Sequence, residues 1–133
     1  MFLVDTNVWL EGLLEQSRSE EAVKFLRETS SDRLFITDFA FHSIGLIMSR
    51  LNRIEAFLRF IQDTLVSGEV ELIHLQPDDM RLIAERAQQF RLDFDDAYQY
   101  VAAEKENLTI GSFDGDFDRT SRGRKTPAEA MRE

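Results

Sequence analysis

Short apolar runs alternate along this chain with stretches of helical period. Phe2-Leu3-Val4 is an apolar run that ends at Asp5 and reads as a buried strand. From Thr6 the pattern changes: Val8, Trp9, Leu13 and Leu14 fall at helical spacing, so Asp5 stands where a strand hands over to a helix. A second helix is predicted from about Ser19 to Thr29, with Ala22, Val23 and Leu26 as its apolar stripe. Leu34-Phe35-Ile36 is a second strand, after which Thr37-Asp38 offers N-cap chemistry for a helix running to about Arg50. The stretch from Arg53 to Leu65 repeats the helical period through Ile54, Phe57, Leu58 and Ile61, until Gly68 breaks it.

Val70 to Leu75 alternates loosely as a third strand, and Pro77-Asp78-Asp79 opens a helix whose apolar face is Met80, Ile83, Ala84 and Ala87. Asp95-Asp96 opens another helix through Ala97, Val101 and Ala102. Leu108-Thr109-Ile110 is a fourth strand leading into the turn Ser112-Phe113-Asp114-Gly115-Asp116, and a last short helix starts after Pro127. Strands separated by helices predict an α/β fold: one domain over residues 1–133, with a central, mainly parallel sheet of four to five strands covered by helices on both faces. No internal repeat, low-complexity segment or Pro/Gly/Ser-rich linker divides it.

Composition narrows the chemistry. The absence of cysteine removes disulfides, thiolate zinc sites and cysteine nucleophiles, and His42 and His74 are too few for a histidine-rich metal site. A metal here has to be held by oxygen, which selects hard ions such as Mg²⁺ or Mn²⁺. The opening Met-Phe-Leu-Val-Asp-Thr-Asn has no basic region ahead of a long apolar stretch, and no apolar run reaches membrane-span length. The expectation is a cytoplasmic protein with no membrane segment. A net charge of −9 opposes non-specific attraction to nucleic acid. It does not exclude a nuclease, because acidic ligands lower the formal charge that a bound cation offsets locally. Arg119, Arg122, Arg124 and Lys125 form the clearest basic stretch, readable as a solvated tail or as a clamp for a phosphate backbone.

In open α/β sheets ligands collect beyond the carboxyl ends of the strands. Asp5, the pair Asp95-Asp96, and the group Asp114, Asp116 and Asp118 all fall where predicted strands end or helices begin. Their convergence would be unfavourable without a cation and favourable with one. Each cluster also has a plain reading. Asp5 can cap the first helix, Asp95 and Asp96 can be dipole-favoured first-turn acids, and Asp114-Gly115-Asp116 can be a simple turn. The alternation of Asp114, Asp116 and Asp118 is not a calcium loop, because Arg119 and Lys125 stand where glycine and glutamate would be needed.

Val4-Asp5-Thr6-Asn7 resembles the opening of PIN domains, including the VapC-like toxins of toxin–antitoxin pairs. Leu92-Asp93-Phe94-Asp95-Asp96-Ala97, followed by Tyr98, Tyr100, Val101 and Ala102, is similar to the family's third acidic motif. Ile110-Gly111-Ser112-Phe113-Asp114-Gly115-Asp116-Phe117 resembles its closing motif. The resemblance spans nearly the whole chain in the right order. It implies Asp5, Asp96 and Asp114 as metal-binding, catalytic acids, with Asp116 as an auxiliary carboxylate. Thr6, Asn7 and Ser112 would orient these ligands by hydrogen bonds, the outer role that metal sites need. It further implies one or two Mg²⁺ or Mn²⁺ ions, an RNA substrate, an antitoxin protein as partner, and a homodimer.

The departure is at the second acid, which PIN domains carry as a glutamate about six residues after the Thr or Ser that opens the helix following the second strand. Counting from Thr37 reaches Ser43, with His42 beside it, and neither is a carboxylate. Asp38 lies more than a turn earlier and would face elsewhere. His42 reads as a packed or hydrogen-bonded ring rather than a ligand, and Asp95 stands beside the site without an assigned role. Two functions follow. One is a metal-dependent ribonuclease of toxin type. The other is a degenerate PIN domain that binds RNA or a protein partner without catalysis. An aspartyl-phosphate phosphatase is weaker, because Asn7 stands where its general-acid aspartate would be.

Overall fold

The strands Phe2–Val4 (β1), Leu34–Thr37 (β2), Glu71–Ile73 (β3) and Thr109–Gly111 (β4) form one parallel sheet in the order β3-β2-β1-β4. The architecture comes from a computed structural model, which describes residues 1–132. Among the described residues seven helices connect and cover the strands: Thr6–Leu14 (α1), Ser19–Glu28 (α2), Asp38–Arg50 (α3), Ile54–Ile61 (α4), Met80–Phe90 (α5), Phe94–Glu106 (α6) and Pro127–Ala130 (α7). Among the described residues a fifth strand does not develop. Its place is taken by a single parallel bridge between Gly111 and Lys125.

The inner strand β1 is apolar throughout, and β2 is apolar up to Thr37, because both faces are buried, whereas β3 at the edge opens on the exposed Glu71. Alternation across the pleat sends Leu3, Phe35, Ile73 and Ile110 to one side, where they pack with Ile83 of α5 and Val101 of α6. Phe2, Val4, Leu34 and Ile36 face the other side, against Trp9 of α1, Phe25 of α2 and Ile44 and Met48 of α3. The chain therefore builds outward from β1 to β3 under one helical layer, then returns beneath the other to place β4 on the far side of β1. That reversal sets the carboxyl ends of β1 and β4 side by side, the position at which open sheets form a crevice. The Asp5 amide donates to the Gly111 carbonyl at 2.9 Å, carrying the pairing one residue past the end of β1.

α6 is closely enclosed: every residue from Ala97 to Ala103 is buried. Its alanines let it lie close to the sheet, and Asn107, with φ of 54°, ends it in the left-handed conformation that suits asparagine. The helix predicted from Arg53 to Leu65 is divided. α4 stops at Ile61, and Gln62–Val66 form one π-helical turn. There the Thr64 hydroxyl donates to the Phe60 carbonyl at 2.7 Å, a local competitor for the helical ladder. Among the described residues no helix is long and apolar enough to cross a membrane.

Gly68 closes that turn against the backbone: an added Cβ would lie 2.5 Å from the Asp63 carbonyl oxygen and 2.6 Å from that of Thr64. Gly68→Ala is expected to lower the unfolding free energy by about 1–3 kcal/mol, as overpacking does. At Gly12, inside α1, a Cβ would meet Leu26 at an ordinary 3.4 Å, so Gly12→Ala is expected to stabilise by about 0.5–1 kcal/mol. Urea denaturation of both variants tests the pair, and equal effects would contradict the packing described for the π turn.

Candidate metal centre

At the crevice between β1 and β4 a cleft of about 320 Å³ is lined by Asp5, Thr6, Asn7, Ser43, Asp95, Asp96, Gln99 and Asp114, with Leu10, Phe39 and Ile47 as its apolar wall. Three of its acids arrive by helix capping. The Asp5 side chain caps α1 by accepting from the Thr6 amide at 2.8 Å. Asp93 caps α6 by accepting from the Asp96 amide at 3.2 Å, which seats Asp95 and Asp96 in the first turn. Asp114 caps the short 3-10 helix Gly115–Arg119 by accepting from the Asp116 amide at 2.9 Å. The plain readings of these acids and their convergence are therefore compatible, because the capped ends point to one place.

Oxygens of Asp96 and Asp114, which line the cleft, and of the exposed Asp116 lie within 4.8 Å of one another. Asp5 is not in that tightest group, and Asp116, read from the sequence as an auxiliary carboxylate, is. Asp5 is 7% exposed and fully engaged. One carboxylate oxygen accepts from the Thr6 amide at 2.8 Å and the Gln99 amide at 3.0 Å; the other accepts from the Ser112 hydroxyl at 2.7 Å and Asn7 Nδ2 at 3.4 Å. Ser112 Oγ in turn accepts from the Asp114 amide at 2.9 Å and Asn7 Nδ2 at 3.3 Å, while Asn7 Oδ1 accepts from the Phe113 amide at 3.2 Å. Thr6 contributes through its backbone N–H; Asn7 and Ser112 tie Asp5 to the closing turn.

Burial pushes the Asp5 carboxyl upward against the opposing bonds from Ser112, Gln99 and Thr6. Asp96 is pushed up to about 8, first by burial and then by the charges of Asp114, Asp93 and Asp5. These carboxylates are held together against their own repulsion. The donor set is all oxygen, which fits Mg²⁺ or Mn²⁺ and offers nothing to a soft metal.

The PIN domain model matches residues 2–123 of this sequence. The chain belongs to the PIN domain family. Solved structures agree in fold. Mycobacterium tuberculosis VapC20, a sarcin-ricin loop cleaving toxin, superposes with a TM-score of 0.76 at 19% identity, over 92% of this chain and 96% of that one. A toxin–antitoxin complex from Klebsiella pneumoniae gives 0.76 at 18% identity, over 96% and 98%. FitAcB from Neisseria gonorrhoeae gives 0.74 at 19% identity, over 96% and 99%. No curated protein is similar enough in sequence to match this chain.

The residues singled out in the sequence take different places in this PIN domain. Ser43 lines the cleft, while Ile44 and Met48 of the same helix face the core. His42 is exposed and lies outside the cleft lining, so it is neither a packed ring nor a neighbour of the acids. Asp38 faces elsewhere, accepting from the Tyr98 hydroxyl at 2.8 Å and lying 3.4 Å from His74 Nδ1. The basic stretch is neither a free tail nor an open clamp. Arg119 bonds the carbonyls of Phe90 and Arg91 at the end of α5 and pairs with Asp116 at 3.0 Å. Arg122 bonds Asn107 and the Leu108 carbonyl, and Arg124 grips Asp118 with two nitrogens at 3.2 and 3.1 Å. These arginines fasten the closing turn. A different cation reaches that turn from α2's start: the Arg18 guanidinium lies 4.8 Å from the ring centroid of Phe113, the residue before Asp114.

Gln99 and Asp93 are the site residues that sequence reasoning missed. Gln99 had a signal: a polar side chain in a run of consecutive buried positions must find partners inside.

The raised carboxyls set the pH response of the metal-free PIN domain. Between the ordinary carboxylate pKa of 3.8 and about 8, folded Asp96 retains a proton that the unfolded chain has released. Stability then falls as pH rises through this window, and Asp5 adds in the same direction. In EDTA the melting temperature is expected to be lower at pH 8.5 than at pH 6, with most of the difference lost in Asp96→Asn. A melting temperature that climbs with pH would contradict the electrostatics described for this cleft.

Proposed function

We propose that this PIN domain is a metal-dependent endoribonuclease of toxin type, hydrolysing RNA phosphodiester bonds with Mg²⁺ or Mn²⁺. The observation that carries the reading is the convergence of Asp96, Asp114 and Asp116, the first two lining the cleft that Asp5 also lines. Asp96, Asp114 and Asp116 would hold the ion, and Asp5, its acceptor positions filled by protein donors, would act beside it as a fixed negative charge. A bound divalent ion supplies Lewis acidity for water and charge neutralisation for a phosphodiester. Asn7 and Ser112 hold the closing turn so that Asp114 keeps its direction. Arg18, held over Phe113 next to Asp114, offers a cation for a phosphate.

RNA as substrate is supported by the VapC20 likeness, since that protein is described as cleaving the sarcin-ricin loop. An antitoxin partner is supported by the Klebsiella pneumoniae complex. A homodimer and a cytoplasmic location belong to the same proposal and rest on the family resemblance. Ser43 favours a second reading, a PIN domain that binds without cutting, because no carboxylate reaches the cleft from α3 at that position.

Purified protein incubated with structured RNA separates the two. The nuclease reading expects cleavage with Mn²⁺, none with EDTA, and a fall of roughly 100-fold or more for Asp114→Asn, on the scale expected when a metal site loses a ligand. RNA retained intact by a protein that binds Mn²⁺ would favour the non-catalytic reading. Cleavage unaffected by EDTA or by Asp114→Asn would remove the site assigned here. Ser43→Glu adds a carboxylate to the cleft wall and is expected to tighten Mn²⁺ binding in a calorimetric titration. Unchanged affinity would mean that α3 does not reach the ion.

A further inference from the structure

Gln99 sits 3% exposed in the middle of α6, about one turn after Asp96. Its carboxamide is held at both ends. The Thr37 hydroxyl donates to Gln99 Oε1 at 2.7 Å, and Gln99 Nε2 donates to Asp5 at 3.0 Å. The direction of the amide follows from Asp5. A carboxylate only accepts, so the amide nitrogen faces Asp5 and the amide oxygen is left for the proton of the Thr37 hydroxyl. That hydroxyl also caps α3 by accepting from the Ala40 amide at 3.0 Å. Beyond Asp5 the same logic continues. Ser112 gives its one proton to Asp5 at 2.7 Å, and its oxygen is then an acceptor for the Asp114 amide at 2.9 Å.

We propose that Gln99 is a positioning residue for the acid cluster, acting through Asp5 along the hydrogen-bonded chain Thr37, Gln99, Asp5, Ser112, Asp114, whose donors converge on Asp5 from both sides. This inference rests on the metal-site reading above. Nothing in the chain is free to reverse, because each hydroxyl commits its single proton in one direction and no buried side-chain polar atom of the described residues lacks a partner. Removing the amide leaves that oxygen of Asp5 held by the Thr6 amide alone, lets the carboxylate turn, and weakens the hold of Ser112 on the turn that carries Asp114. Gln99 is not one of the three clustered acids and makes no bond to them. Its part is to fix direction, in the way outer hydrogen bonds orient metal ligands.

The test is a calorimetric Mn²⁺ titration of wild type, Gln99→Met, Thr37→Val and the double variant, well below their melting temperatures. Methionine keeps the volume of glutamine and removes the hydrogen bonds. Gln99→Met is expected to weaken Mn²⁺ binding about 10–100-fold, the range for loss of a hydrogen bond that orients a ligand. Thr37→Val weakens it too, but the double variant binds no more weakly than Gln99→Met alone, since Thr37 reaches Asp5 only through Gln99. In RNA cleavage at limiting Mn²⁺, kcat falls while KM for RNA stays. Should Gln99→Met not fold, a Thr37→Val affinity equal to wild type overturns the proposal by itself. Wild-type affinity in Gln99→Met, or additive losses in the double variant, overturns it as well. A wild-type protein that binds no Mn²⁺ overturns both this inference and the metal reading, whereas one that binds Mn²⁺ without cutting RNA ends the nuclease reading alone.

Discussion

A carboxylate buried at the end of a central strand has to be hydrogen-bonded on every side, and Asp5 is such a group. Removing it from water would be prohibitive without donors. The donors come from the start of α1, from α6 and from the turn after β4, so satisfying this one residue requires three separate stretches of chain to meet at the head of the sheet. The β3-β2-β1-β4 order is what makes the meeting feasible, because it sets β4 directly beside β1. The crevice, the closing turn and the placement of α6 all follow from that junction.

The acid cluster is a consequence of the same geometry. Helices that begin at the sheet's carboxyl edge favour acids at their N-termini, where the helix dipole and free N–H groups attract negative charge. Asp93, Asp114 and Asp5 are all caps in this sense. Several capped helices pointing at one crevice concentrate charge there, and the upward push on Asp96 reflects the result. What serves each helix locally creates a collective repulsion that an oxygen-loving cation relieves. The arginines work in the other direction. Arg119 ties Asp116 to the end of α5, and Arg124 grips Asp118, so part of the acidity is neutralised by pairs that hold the turn in shape. Exposed pairs of this kind contribute little to stability, yet they fix where a short loop sits.

Most of the fold was legible in the order of residues. Apolar triplets ending in Asp5 or Thr37, helical stripes such as Ala22, Val23 and Leu26, and the Pro77 start were local signals, and local physics decides strands, helices and caps. The three motifs around Asp5, Asp96 and Asp114 were legible for the same reason: capping chemistry and turn chemistry leave their residues adjacent in sequence. The resemblance to PIN domains rested on those stretches, and the family match over residues 2–123 agrees with it.

Other features depended on partners far away in the chain. Nothing near Arg119 or Arg124 says that their guanidiniums turn inward to carbonyls and carboxylates rather than out to a phosphate. His42 lies exposed because α3 presents Ile44 and Met48 to the core, a rotation set by packing against the sheet. That Asp116 joins Asp96 and Asp114 while Asp5 stands apart was decided by which donors reach Asp5, two of them about a hundred residues away. Sequence determined the elements and which acids stand at their ends, because those choices are made within a few residues. Tertiary structure alone decided how the acids share the crevice, because hydrogen-bond saturation and burial are properties of the assembled neighbourhood.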